Sequence, residues 1–187
     1  MRRALRIDRE RRWNREFAEG KWAWLHRLDE LAHHGVLAAY VSFLKPNARV
    51  LDVGCGTGTL YEQVRGCYQR YVGVDFAEPV KQAAALADAR STFVAADMNE
   101  FTPTEPFDVI IFNESINYLV DLLEGMRRYE GFLSADGVFL VCMPGQPRNL
   151  ALWEKLDGAY QILDAVTITN QKGISWTCKA LARPGQG

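Results

Sequence analysis

The sequence predicts an α/β fold: a doubly wound, mostly parallel seven-stranded sheet with an antiparallel last strand, helices on both faces and an N-terminal helical lid. Three observations predict it. From Pro46 onward, short apolar β-branched runs alternate with segments of helical spacing, the pattern of repeated βαβ units. The first run, Arg49 to Val53, ends in a loop with glycine at three alternate positions, Gly54, Gly56 and Gly58. The last two runs are joined by Asn170-Gln171-Lys172-Gly173, a hairpin signal that adds an antiparallel pair.

Each element has its own justification. In the leader, Trp13 and Phe17 are four residues apart, and Val36, Tyr40 and Leu44 continue at helical spacing until Pro46 stops the pattern. Gly20-Lys21 reads as a break between two helices. Arg49 to Val53 is apolar enough for a strand buried on both faces. Leu60 and Val64 then resume helical spacing. Further strands are expected at Tyr71 to Val74, Thr92 to Ala95 and Phe107 to Phe112. Ser134-Ala135-Asp136-Gly137 turns into a fifth strand that ends near Val141. Helices are expected at Glu78 to Leu86, Val120 to Phe132 and Pro147 to Leu156, two of them with proline suited to the first turn. Tyr160 to Thr169 and Ile174 to Leu181 alternate as the closing strands. Residues 1–187 are expected to form one domain, divided into a leader (1–45), a core (46–182) and a frayed tail (183–187).

Composition limits the function. A chain of 187 residues, 48% hydrophobic, is long enough for an ample core. No apolar run reaches membrane-spanning length and no signal peptide is visible, so a cytoplasmic location without membrane contact is expected. Cys55, Cys67, Cys142 and Cys178 are scattered, with no C-x-x-C pair, which points to reduced thiols and no structural zinc. The net charge of −1 offers no electrostatic case for nucleic acid. Residues 1–15 do hold seven arginines against Asp8 and Glu10. That arm reads either as a solvated helix start or as a basic patch for an anionic partner.

The strand ends carry the chemistry. Glycines after a buried strand let a ligand approach the backbone. Asp52, Asp75, Asp97 and Asn113-Glu114 close four successive strands. An acid at the second strand end can accept bonds from ribose hydroxyls, which suits NAD or an adenosyl cofactor alike. The dinucleotide fingerprint G-x-G-x-x-G is not met, because Thr59 stands at its third glycine. An acidic rim also suits a ligand with an amino group, hydroxyls and an exocyclic amine better than a pyrophosphate.

The run Val50-Leu51-Asp52-Val53-Gly54-Cys55-Gly56-Thr57-Gly58 is followed by Val72-Gly73-Val74-Asp75, Phe93-Val94-Ala95-Ala96-Asp97 and Phe107-Asp108-Val109-Ile110. In that order it resembles the class I, Rossmann-like S-adenosylmethionine-dependent methyltransferases, over roughly Pro46 to Ala182. The resemblance implies S-adenosyl-L-methionine as cofactor and S-adenosyl-L-homocysteine as product. It places Gly54, Gly56 and Gly58 around the methionine moiety. It places Asp75 at the ribose diol, Asp97 and the Met98 backbone at the adenine, and Asn113 and Glu114 beside the sulfonium and the acceptor, with Asp52 and Phe76 also expected to bind the cofactor. It also implies an N-terminal lid, where Trp13, Phe17 and Trp22, together with Tyr118, would line the acceptor pocket or merely pack.

An oxygen acceptor needs a base within reach. Glu114 on the rim is one candidate, and His33 and His34 in the leader are others. Asp97 and Glu114 could together hold a hard cation, but adenine is the better-supported role for Asp97, so no metal is expected. Strand four is followed by Asn113-Glu114-Ser115-Ile116 without prolines, which speaks against the amino-methylating DNA enzymes of the family. The expected activity is methyl transfer to oxygen, or less readily nitrogen, of a small molecule, such as a sugar or natural-product intermediate. A non-catalytic adenosyl-cofactor-binding protein with the same fold is the alternative.

Overall fold

The computed structural model of the protein describes residues 2–185, with side chains from Asp8 onward except Arg9. The leader forms α1 (Arg2–Ala18), a 3-10 turn (Ala23–His26) and α2 (Leu28–Leu44). Gly20, at φ +69, makes the expected break. The arginines at 2, 3, 6 and 9 have side chains outside the described residues, as do Gln186 and Gly187 of the tail. No helix among the described residues is long and apolar enough to cross a membrane.

The core runs β1 (Ala48–Val53), α3 (Thr59–Val64), β2 (Tyr68–Asp75), α4 (Ala77–Ala84), β3 (Ser91–Ala95), β4 (Phe107–Asn113), α5 (Leu122–Glu130), β5 (Leu133–Pro144), α6 (Pro147–Ala159), β6 (Gln161–Thr169) and β7 (Ser175–Ala182). The seven strands lie in the order β3-β2-β1-β4-β5-β7-β6. The first five are parallel, and β7 is antiparallel to both β5 and β6. The chain therefore reverses direction of travel between β1 and β4, which places a crevice outside their carboxyl ends. The expected fold class is the one observed.

Alternation along the strands builds two cores. Ile110 and Phe112 of β4 face one side with Leu51, Met126, Tyr129 and Phe139, under α5 and α6. Val109 and Ile111 face the other with Val50, Leu37, Val41 and Tyr61, under α2 and α3. Each central strand is thus apolar on both faces, as a parallel sheet with two helical layers requires.

Boundaries move where a side chain dictates them. β2 begins three residues before the expected Tyr71, because Tyr68 is fully buried and its hydroxyl donates to Asp88 at 3.0 Å. α5 begins at Leu122 rather than Val120, because Asp121 caps it by accepting from the Glu124 amide at 2.9 Å. The alternating run in β6 is an edge strand whose side chains are largely exposed.

Candidate active site

The glycine loop is locked from both sides. The amides of Gly54 and Cys55 donate to the Val74 carbonyl at 2.8 and 3.1 Å, joining the loop to β2. Ser115, just past β4, donates to the Val53 carbonyl at 2.5 Å. A Cβ on Gly54 would lie 2.4 Å from the Ser115 Cβ, and Gly54 has φ +82. Only glycine satisfies that crossing. Gly56 faces open space and donates its amide to Asp75 Oδ2 at 2.8 Å. Gly58 starts α3 in a left-handed conformation and faces Ala83 and Leu86. It shapes the turn and does not line the cleft.

The acids line one wall. Asp52 is buried, and Tyr71 donates to one of its oxygens at 2.5 Å. The other oxygen has no partner. Burial pushes the Asp52 carboxyl up to about 7 against the opposing effect of that hydrogen bond. Asp75 accepts from Gly56 and, at 2.7 Å, from the Phe76 amide. Burial nevertheless pushes it up to about 6. Asp97 accepts from the Asn99 amide and side chain at 2.9 and 3.0 Å. Asn99 in turn bonds the Tyr118 carbonyl and the Val120 amide, tying β3 to the loop after β4. The Met98 carbonyl is held by the buried Tyr129 hydroxyl at 2.7 Å and by Arg128.

The leader forms the opposite wall. Trp13 and Trp22 stack at 4.7 Å between centroids, Phe17 and Trp22 at 5.8 Å, and Tyr118 meets Trp13 edge-on at 5.1 Å. Two polar ties seat this wall. His26 Nε2 lies 3.0 Å from Thr57 Oγ1 in the glycine loop, and Asn14 accepts from the Glu78 amide at the start of α4 at 2.9 Å.

Glu114 stands where the walls meet. It has φ +55, a left-handed conformation that costs a residue with a side chain about 1–2 kcal/mol. Its amide donates to the Cys142 carbonyl at 2.9 Å. The buried Trp176 indole donates to its Oε1, also at 2.9 Å. His33 Nε2 lies 3.1 Å from the same oxygen and its ring stacks on Trp176. His34 is buried; burial first, then His33 and His26, lower its pKa to about 3, so its ring is neutral.

Trp13, Phe17, Trp22, Asp52, Gly54, Gly56, Asp75, Phe76, Asp97, Met98, Asn113, Glu114, Tyr118 and His34 all line one cleft. His33 lies outside it, in contact with Glu114. Trp24, Leu25 and Ser115 also line the cleft. Trp176 and Glu30 reach Glu114 from β7 and α2, and no local motif marks either. The cleft encloses about 1060 Å³ of empty space, counting that open to solvent, enough for a cofactor and a small acceptor.

Four buried polar atoms on its wall have no hydrogen-bond partner among the described residues: Asp52 Oδ1, Asn113 Oδ1, Trp22 Nε1 and His34 Nδ1. Buried polar groups left unpaired are costly and call for a ligand or water. Two acceptors at the glycine-loop end and an open backbone beside Asp75 suit an amino acid moiety joined to a ribose. That is the shape of an adenosylmethionine.

A methyltransferase-domain family matches residues 22–180. The chain belongs to that family. Its cofactor is S-adenosylmethionine. The domain is 34% identical over 118 residues to a trans-aconitate 2-methyltransferase of Rhizobium etli, covering 59% of this chain and 45% of that protein. It is 29% identical over 137 residues to a ubiquinone biosynthesis O-methyltransferase of Bradyrhizobium diazoefficiens, covering 66% and 54%. The chain spans about half the length of the curated relatives it matches. Its fold superposes on the 1,6-didemethyltoxoflavin-N1-methyltransferase of Burkholderia thailandensis with a TM-score of 0.77 at 17% identity, covering 97% of this chain and 89% of that one. That structure contains S-adenosylhomocysteine and 1,6-didemethyltoxoflavin.

Proposed function

We propose that the domain methylates an oxygen of a small molecule, with nitrogen the second choice. When bound, the cofactor supplies a methyl group already activated on a sulfonium. The protein has then to bind, orient and exclude water. In this reading Asp75 holds the ribose diol with Phe76 beside it, and Asp97 and Met98 border the adenine. Asp52, Asn113 and the glycine loop, Gly54 and Gly56 directly and Gly58 through its turn, hold the methionine end. The rings of Trp13, Phe17, Trp22 and Tyr118 give the acceptor an apolar wall. Holding an acceptor in near-attack geometry is the main contribution such a site makes.

The observation that carries the oxygen assignment is Glu114. Its carboxylate lies on the cleft wall, fixed by Trp176 and backed by His33. It accepts the hydrogen bond of an acceptor hydroxyl, aligns the oxygen and draws off its proton as methylation proceeds. His34, neutral and on the same wall, offers a second polar contact. Relatives bearing the name O-methyltransferase support this reading, and the name N1-methyltransferase on a structural neighbour keeps nitrogen as the runner-up.

Calorimetry with S-adenosylhomocysteine comes first, followed by its release during turnover with hydroxylated and amine acceptors. We expect cofactor binding in both wild type and Glu114→Gln, and loss of turnover with hydroxyl acceptors in the variant. Absence of cofactor binding at high micromolar concentration sinks the assignment. Binding without turnover of any acceptor favours a non-catalytic cofactor-binding protein.

A further inference from the structure

Behind the cleft wall, Glu30, His33 and Glu114 converge. One ligand atom from each lies within 4.8 Å of the other two. Glu30 and His33 are three residues apart on α2, so their side chains project from the same helical face. Glu114 arrives from the end of β4. Glu30 is 6% and His33 1% exposed. Glu114 is half-buried at the cleft wall; the two carboxylates repel each other, and burying Glu30 beside that charge is costly unless a cation offsets it.

His33 supplies the second observation. Neither of its ring nitrogens makes a hydrogen bond among the described residues, although Nε2 is 3.1 Å from Glu114 Oε1. The approach is close but off the direction in which a ring N–H would point. Neighbouring ligands of one ion have this relation. At metal–ligand distances of about 2.1 Å, adjacent donor atoms stand roughly 3 Å apart and aim at the ion rather than at each other. Oε1 of Glu114 is oriented by the Trp176 indole, the kind of outer support that fixes a ligating carboxylate.

We propose that Glu30, His33 and Glu114 bind one divalent cation. Two carboxylates with one imidazole suit Mn2+, Fe2+ or Zn2+ better than Mg2+, which prefers oxygen alone. The ion offsets the repulsion between the carboxylates by binding one oxygen of Glu114, fixes that side chain where the cleft wall needs it and leaves its second oxygen for an acceptor hydroxyl. This inference does not depend on methyl transfer, and it revises the expectation that the chain holds no metal.

Mn2+ is the probe, because the nearby buried thiols of Cys142 and Cys178 favour Zn2+ over Mn2+. Titration of the metal-free full chain, followed by the Mn2+ electron paramagnetic resonance signal, should show about one bound ion per chain. Glu30→Gln and His33→Gln should each weaken binding at least about tenfold, whereas Asp29→Asn, next to the cluster but paired with Lys172, should not. Retained S-adenosylhomocysteine binding by the variants certifies that they fold. No binding at millimolar Mn2+, or binding that Glu30→Gln leaves intact, overturns the proposal and leaves the three groups as a proton-sharing cluster.

Discussion

The proposed cofactor half and the proposed acceptor half of the cleft are built on different principles. The cofactor half uses the backbone. Gly54, Cys55, Gly56 and Phe76 present amides that bond to Val74 and Asp75, all within 23 residues of sequence. The acceptor half uses side chains from distant segments. Trp13 and Trp22 come from the leader, Tyr118 and Glu114 from the loop after β4, and Trp176 from β7. Backbone geometry tolerates little change, because it has no rotamers to adjust. A wall of side chains can be rebuilt one ring at a time, which is how one fold can serve different acceptors.

The largest expected effect tests the rigidity of the first half. Gly54→Ala adds a Cβ that overlaps Ser115 at 2.4 Å and forces a side chain into φ +82, at about 1–2 kcal/mol for the conformation alone. We expect S-adenosylhomocysteine binding to fall more than about a hundredfold with a clear drop in Tm. Calorimetry and a thermal melt check both. Near-normal affinity would show that the loop can relax and would blur the contrast.

Asp75→Asn is the next in size. It removes a charged acceptor from the Gly56 amide and, on the proposed reading, from two ribose hydroxyls, worth about 1.5–3 kcal/mol, or roughly 10–150-fold in cofactor affinity. The same carboxylate predicts a pH effect. Its folded pKa, about 6, lies above the ordinary value of 3.8. The ligand-free fold binds this proton more tightly than the unfolded chain, so the group's contribution to stability is greatest below pH 4. It falls as pH rises from about 4 to 6 and is level above that. Asp52, raised to about 7, acts in the same direction up to that pH. On the proposed reading cofactor binding runs the opposite way, because ribose hydroxyls would need the ionised carboxylate. Affinity should weaken by up to about tenfold per unit below pH 6, measured by calorimetry at pH 5, 6 and 7.

The smallest effect belongs to the acceptor half. Trp176→Phe keeps a ring to stack on His33 but removes the indole donor to Glu114. Stability should fall by about 1 kcal/mol, and S-adenosylhomocysteine affinity should stay within about threefold, read by melts and calorimetry. A large loss of cofactor binding would show the two halves to be one coupled unit.

The difference between the halves also explains what could be read in advance. Asp52, Gly54, Gly56, Asp75 and Asp97 carry a spacing that follows from strand ends in a parallel sheet, so a linear pattern marks them. Glu114 was visible as a rim residue, but its left-handed backbone and its bond to Trp176 were not. His33 and His34 were visible only as neighbours in a leader. Helical geometry turns them apart, putting His34 on the cleft and His33 against Glu114. Gly58 fitted the loop pattern yet serves α3 and its packing, because a glycine needed for a turn and one needed for a ligand look alike in sequence.

By itself, the amino-acid sequence determined the order of strands and helices, the two-sided core and the acid-and-glycine rim, because these depend on local periodicity and on residues close in the chain. Tertiary structure alone decided which leader rings meet Tyr118, what holds Glu114, and that Glu30 and His33 join it. Those contacts span from about 60 to about 105 residues of chain. No short-range pattern encodes them; they exist only once the sheet has closed and the leader has been laid across its carboxyl edge.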